Sequence, residues 1–171
     1  MTLGTNSYDT RAALQRQLDI AWNFATDFIL DQIDHDLALW KPAPDSVTVH
    51  PTGSGWVADW PSEDGTESLP PATIGWSLWH IEWGWTNTLA TVNREAQISA
   101  SDFRWSGGTQ HLAGLKRRWD RVLATDDLER LNQWVMPAPR PLSYIAGLVN
   151  FELTKNLAEI NQLKMLHASK R

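Results

Sequence analysis

Between residues 10 and 33 the apolar side chains Leu14, Leu18, Ala21, Trp22, Ala25, Phe28, Ile29 and Ile33 recur at steps of three and four. That spacing gathers them on one side of a 3.6-residue helix and predicts an amphipathic helix one. Residues 35–71 break the pattern with Pro42, Pro44, Pro51, Pro61, Pro70 and Pro71 and with Gly53, Gly55 and Gly65. Such residues end helices and make turns. Trp40, Val47, Val49, Trp56, Val57 and Trp60 make the same stretch too apolar for a solvated linker. It is read as a long ordered loop that lies across one end of the helices or pairs as a short hairpin.

Helical spacing resumes over residues 73–92, where Ile74, Leu78, Ile81 and Leu89 join a row of tryptophans. Trp76, Trp79, His80, Trp83 and Asn87 fall at i, i+3, i+4, i+7 and i+11, so His80 and Asn87 share the side of the buried rings. A third helix is expected over 109–124 on Leu112, Leu115, Trp119, Val122 and Leu123. Asp126 followed by Glu129 resembles a capping pair and predicts a further short helix over 127–133, stopped by Pro137, Pro139 and Pro141. The last helix starts after Pro141 and runs through Tyr144, Ile145, Leu148, Phe151, Leu153, Ile160 and Leu163 to residue 167. Four long helices and no strand pattern predict an all-α fold, an antiparallel four-helix bundle with the long ordered loop between helices one and two.

The chain has 171 residues, enough for one domain spanning 1–171 with a sizeable core. The absence of cysteine removes disulfides, thiolate metal sites and thiol nucleophiles of the protein itself. With neither a membrane-length apolar run nor a basic leader in MTLGTNSYDT, the expected setting is cytoplasmic. Fifteen Lys+Arg against twenty Asp+Glu give a net charge of −5, which disfavours nucleic acid as a partner. Eleven tryptophans are more than one small core readily hides, so tryptophan-rich helix faces are expected to form a homodimer, with Trp76, Trp83 and Asn87 walling a substrate pocket.

On helix four, Glu152, Asn156 and Glu159 stand at i, i+4 and i+7 and span about 60° of the helix circumference. Leu148 and Leu163 extend the same row, so these polar groups point toward the interior, where carboxylates need a partner or a cation. A histidine from one helix facing carboxylate and amide groups from another suits a divalent metal. The plainer alternatives are a hydrogen-bonded core histidine and exposed pairs of Lys155 with Glu152 and Glu159. Lys116, Arg117, Arg118 and Arg121 read as a solvated face or, less simply, as a seat for an anionic substrate or thiol cofactor. No phosphate loop, nucleophile elbow or catalytic triad pattern is present.

The segments LALWKPAP, TIGWSLWHIEWGWTN and LVNFELTKNLAEINQLK resemble the DinB/YfiT-like superfamily, over nearly the whole chain. The resemblance implies a four-helix bundle holding a divalent cation (zinc, nickel, iron or manganese) through three ligands, commonly histidines: one in helix two, two in helix four. It also implies metal-dependent enzymes, among them transferases that use low-molecular-weight thiols as cosubstrates. His80 matches the helix-two ligand, and Glu152 and Asn156 match the helix-four pair, with Glu159 one turn further along. Asn156 departs from the pattern, because an amide carbonyl is a weak donor for transition metals. Two function classes follow: a metal-dependent enzyme, such as a transferase using a low-molecular-weight thiol, and a non-catalytic bundle with a degenerate metal site that binds a small molecule or protein partner.

Overall fold

Asp9 opens the first helix by accepting a hydrogen bond from the Arg11 amide at 3.0 Å, the ordinary way to satisfy a free N–H at a helix start. The structure, a computed structural model, describes residues 9–60, 70–134 and 137–170. Helix α1, Thr10–Phe28, is shorter than the expected 10–33. Ile29 leaves helical geometry at φ −125°, ψ −64°, a 3-10 turn follows at Leu30–Gln32, and the bend drives Ile29 and Leu30 into the core. Lys164 closes the freed end by donating to the Phe28 carbonyl. Periodicity continued past the break because both sides of the turn bury apolar residues.

The Pro- and Gly-rich stretch carries real elements. Asp34 caps a short helix α2, His35–Leu39, by accepting from the Leu37 amide at 2.8 Å. Strands β1, Val49–Thr52, and β2, Gly55–Ala58, form the antiparallel hairpin that the apolar positions allowed. At Gly55 a glycine is required: its φ is +130°, and a Cβ would lie 2.8 Å from the Trp105 carbonyl. That close approach makes the reciprocal bonds between Trp56 and Trp105, at 2.9 and 3.0 Å, which fasten the hairpin to a segment far along the chain, just before the helix that starts at Gln110. The part of the expected loop over residues 61–69, and residues 1–8, lie outside the described residues.

Thr73 caps α3, Ile74–Asn93, accepting from the Trp76 amide at 3.2 Å. Helix α4 is Gln110–Thr125, close to the expected 109–124. The short helix expected over 127–133 does not form. Strand β3, Leu131–Asn132, pairs instead with β4, Arg140–Pro141, and the Leu128 and Arg130 carbonyls accept from the first amides of α5, Leu142–Ser169. The groups a helix would use internally are spent on starting the last helix. The two small hairpins also correct the expectation of no strands.

Among the described residues α1 packs against α4 and α5, and α3 packs against the same two, so the four long helices close a ring. Leu18, Ile29, Leu78, Trp79, Trp119, Ile145 and Ile160 are essentially without exposed surface at its centre. Each such side chain contributes about 1.5–3 kcal/mol by leaving water. The fold is mainly helical, and no described helix is long and apolar enough to cross a membrane. The tryptophans do not form outer faces: of the eleven, only Trp60 is exposed, at 39 %. Among the described residues, the apolar side chains left outside include Ile20, Phe24 and Phe28 on α1 and Tyr144, Phe151, Met165 and Leu166 on α5, with Ile98 and Leu131 on the segments between helices.

Candidate functional site

The tryptophan row of α3 builds the site. Trp76 and Trp83 anchor their indole N–H groups on backbone, donating to the Asp59 carbonyl at 2.7 Å and the Ile98 carbonyl at 2.9 Å. His80 lies between them in sequence, its ring parallel to Trp76 at 5.1 Å and to Trp60 at 6.3 Å. Its Nδ1 is buried with no hydrogen-bond partner. Burial holds the imidazole pKa below its ordinary value near 6.5, the Lys155 ammonium pushes it the same way, and the Glu152 carboxylate pulls against both. His80 is therefore neutral at pH 7.

Two clefts meet at this ring, and His80 and Asn156 line both. The first, about 610 Å³, opens between α3, α5 and the prolines of the long loop, and takes in Trp76, Lys155 and Glu159. The second, about 340 Å³, lies on the other side and takes in Trp83, Asn87, Trp134 and Glu152. Volumes of this order suit small organic molecules.

The expected site residues are thus gathered, but not around one point. Asn156 is buried, as the α5 spacing implied, whereas Glu159 is exposed and lines only the first cleft and Glu152 only the second. Glu152 does not point into a closed interior: its side chain is 43 % exposed and pairs with Lys155 at 3.2 Å. A pair so exposed contributes at most about 1 kcal/mol. Asn87 reaches the second cleft, yet its amide is occupied on both sides by Ile98, donating to its carbonyl and accepting from its amide, each at 2.8 Å.

No family model, curated protein or solved structure matches this chain. Its chemistry therefore has to be read from its own side chains.

The donor set does not fit a tightly held divalent transition metal. Among the described residues no three His, Cys, Asp or Glu side chains come together as a possible metal cluster. The orphaned His80 nitrogen is the one feature that would welcome a cation. Against it stand a neutral amide in place of a third strong donor and the Lys155 ammonium, whose positive charge already bears on His80.

The basic run of α4 also reads differently in place. Lys116 bridges Asp19 of α1 at 2.7 Å and Asp120 at 2.8 Å, with its side chain only 13 % exposed. Burial alone would depress its pKa, but the hydrogen bonds to Asp120 and Asp19 and their charges outweigh it and the net shift is upward. Lys116 is a clasp between helices rather than part of a solvated face.

Sequence reasoning missed Glu82, which is 5 % exposed. It accepts from or shares a proton with His111 Nδ1 at 3.3 Å, and its other oxygen has no partner. Burial pushes this carboxyl above the usual range, while the hydrogen bond and charge of His111, and weakly the Trp105 indole, pull it back. The signal was available: Leu78, Glu82, Trp85 and Leu89 stand at i, i+4, i+7 and i+11, an apolar row with one carboxylate in it.

Proposed function

We propose that this chain is a DinB-like four-helix bundle with a degenerate metal site, which binds a small molecule in the clefts on either side of His80. The observation that carries this reading is the wall shared by the two clefts: a neutral imidazole with an unpartnered buried nitrogen beside a buried amide, set among indole rings. A polar nitrogen left unpaired between two cavities lowers stability without serving the packing, which supports a ligand-binding reading of this wall. The His80, Glu152 and Asn156 arrangement supports ligand binding better than the metal-dependent thiol transfer that the family resemblance implies. A second copy of the chain is the proposed protein partner, and the cytoplasm the proposed setting.

The test is thermal stability of the wild type and of Glu152→Gln near neutral pH, each with and without zinc, nickel or manganese, beside the metal content of protein purified without an affinity tag. A ligand that binds only the folded state raises the midpoint by mass action. The expected result is no stoichiometric metal and no metal-dependent rise in either protein. A rise confined to the wild type, with stoichiometric metal, would return the chain to the metalloenzymes and make a thiol cosubstrate the next question.

A further inference from the structure

We infer that the second cleft takes a small organic cation with an apolar or aromatic body, its ammonium group paired with Glu152 and its body among the indoles of Trp83, Trp85 and Trp134. This rests on the small-molecule reading above and names the ligand class. Three observations converge on it.

The first is charge. Among the described residues lining this cleft, Glu152 is the only acidic side chain, and no lysine or arginine lines it. Lys155 holds Glu152 Oε2 at 3.2 Å from the side of the other cleft, so an ammonium group in this cleft shares that carboxylate with it.

The second is the walls. Three indoles surround the cavity, and the negative face of an indole ring attracts an ammonium group, most strongly where water is scarce. Trp83 is fixed for that role, stacked on Trp79 at 5.5 Å with an interplanar angle of 10° and tethered to Ile98. Asn156 adds an amide carbonyl that can accept from an N–H donor.

The third is Gly84, which lines the same cleft in the interior of α3. Glycine weakens a helix there relative to alanine. Nothing lies within 4 Å of where its Cβ would be, so the packing of the fold does not require glycine. Its effect is to leave the cavity open.

Isothermal titration calorimetry at pH 7.5 with three probes of one shape separates the possibilities: phenethylamine, phenethyl alcohol and 3-phenylpropionate. The expected result is that the amine binds about tenfold more tightly than the alcohol, and that 3-phenylpropionate binds least. Glu152→Gln should erase the preference for the amine while leaving alcohol binding unchanged. Gly84→Leu should keep or raise the thermal midpoint and abolish binding of both, which shows that the cleft itself is the site in a protein still folded. Equal binding of amine and alcohol overturns the cation assignment but leaves the ligand-binding reading standing. Preference for the carboxylate overturns it in favour of Lys155. If none of the three binds at millimolar concentration, the cation assignment falls and the small-molecule reading of this cleft falls with it.

Discussion

His80 is a single residue whose burial leaves a polar nitrogen unpaired. Its ring stacks as a phenyl ring would, and its buried Nδ1 makes no bond. His80→Phe keeps the stacking and removes the unpartnered nitrogen, so at pH 7.5 the variant is expected to match or exceed the wild type in urea titration. The folded-state pKa lies below the unfolded value of about 6.5, so the unfolded chain takes up the proton first as pH falls. His80 therefore withdraws stability below about pH 6.5, and the margin of His80→Phe over the wild type should widen from pH 7.5 to 5.5. A margin independent of pH would show that His80 protonates freely in the folded state.

Glu82 has the opposite sign. Its folded-state pKa is raised, so the native state holds the proton longer as pH rises, and its contribution is complete below about pH 4.5 and lost above it. Glu82→Gln cannot ionise. Its midpoint relative to the wild type should therefore climb from pH 4.5 to 7.5, whatever its starting value; a flat difference would mean that the carboxyl is not held above its usual range.

At the scale of elements, polar clasps fix what the apolar stripes leave free. A stripe lets a helix slide or rotate by small amounts without losing much area, whereas Lys116 on α4 meets Asp19 of α1 in one geometry only. Arg11 of α1 does the same at the other end, donating to the Leu123 and Asp126 carbonyls where α4 stops. Lys116→Ala is expected to destabilise by about 2 kcal/mol, more than an exposed pair would, because the ammonium is largely buried while its partners stay half in water. A chemical denaturation midpoint unchanged within error would reduce the clasp to a surface contact. The same logic governs the start of α5, whose first amides find acceptors only because residues 128–130 stay non-helical.

For the whole molecule, outward apolar surface is where the proposed second copy would dock. The groove between α1 and α5, rimmed by Ile20, Phe24 and Phe151, is the face proposed for it. Gln17, Asn150 and Thr154 are its polar members, and no charged side chain lines it among the described residues. Contiguous exposed apolar surface of this kind marks interaction faces. Light scattering at high micromolar concentration should give a dimer for the wild type and a monomer for the double variant Phe24→Asp with Phe151→Asp. A monomeric wild type removes the dimer altogether.

The long helices were legible in the sequence because helix packing is a local, periodic demand: Leu14, Leu18, Ala21 and Ala25 announce a buried stripe wherever the partner lies. The inward placement of His80 and Asn156 was legible for the same reason, each being tied by i, i+3 and i+4 steps to apolar neighbours. The hairpin at residues 49–58 was visible only as one option, since its register depends on a carbonyl of Trp105 far along the chain. Whether Glu152, Asn156 and Glu159 meet at one point was not legible at all. Helical spacing gives a direction around an axis, but the distance across a cleft depends on how α3 and α5 pack. That packing set Glu152 and Glu159 on two different clefts.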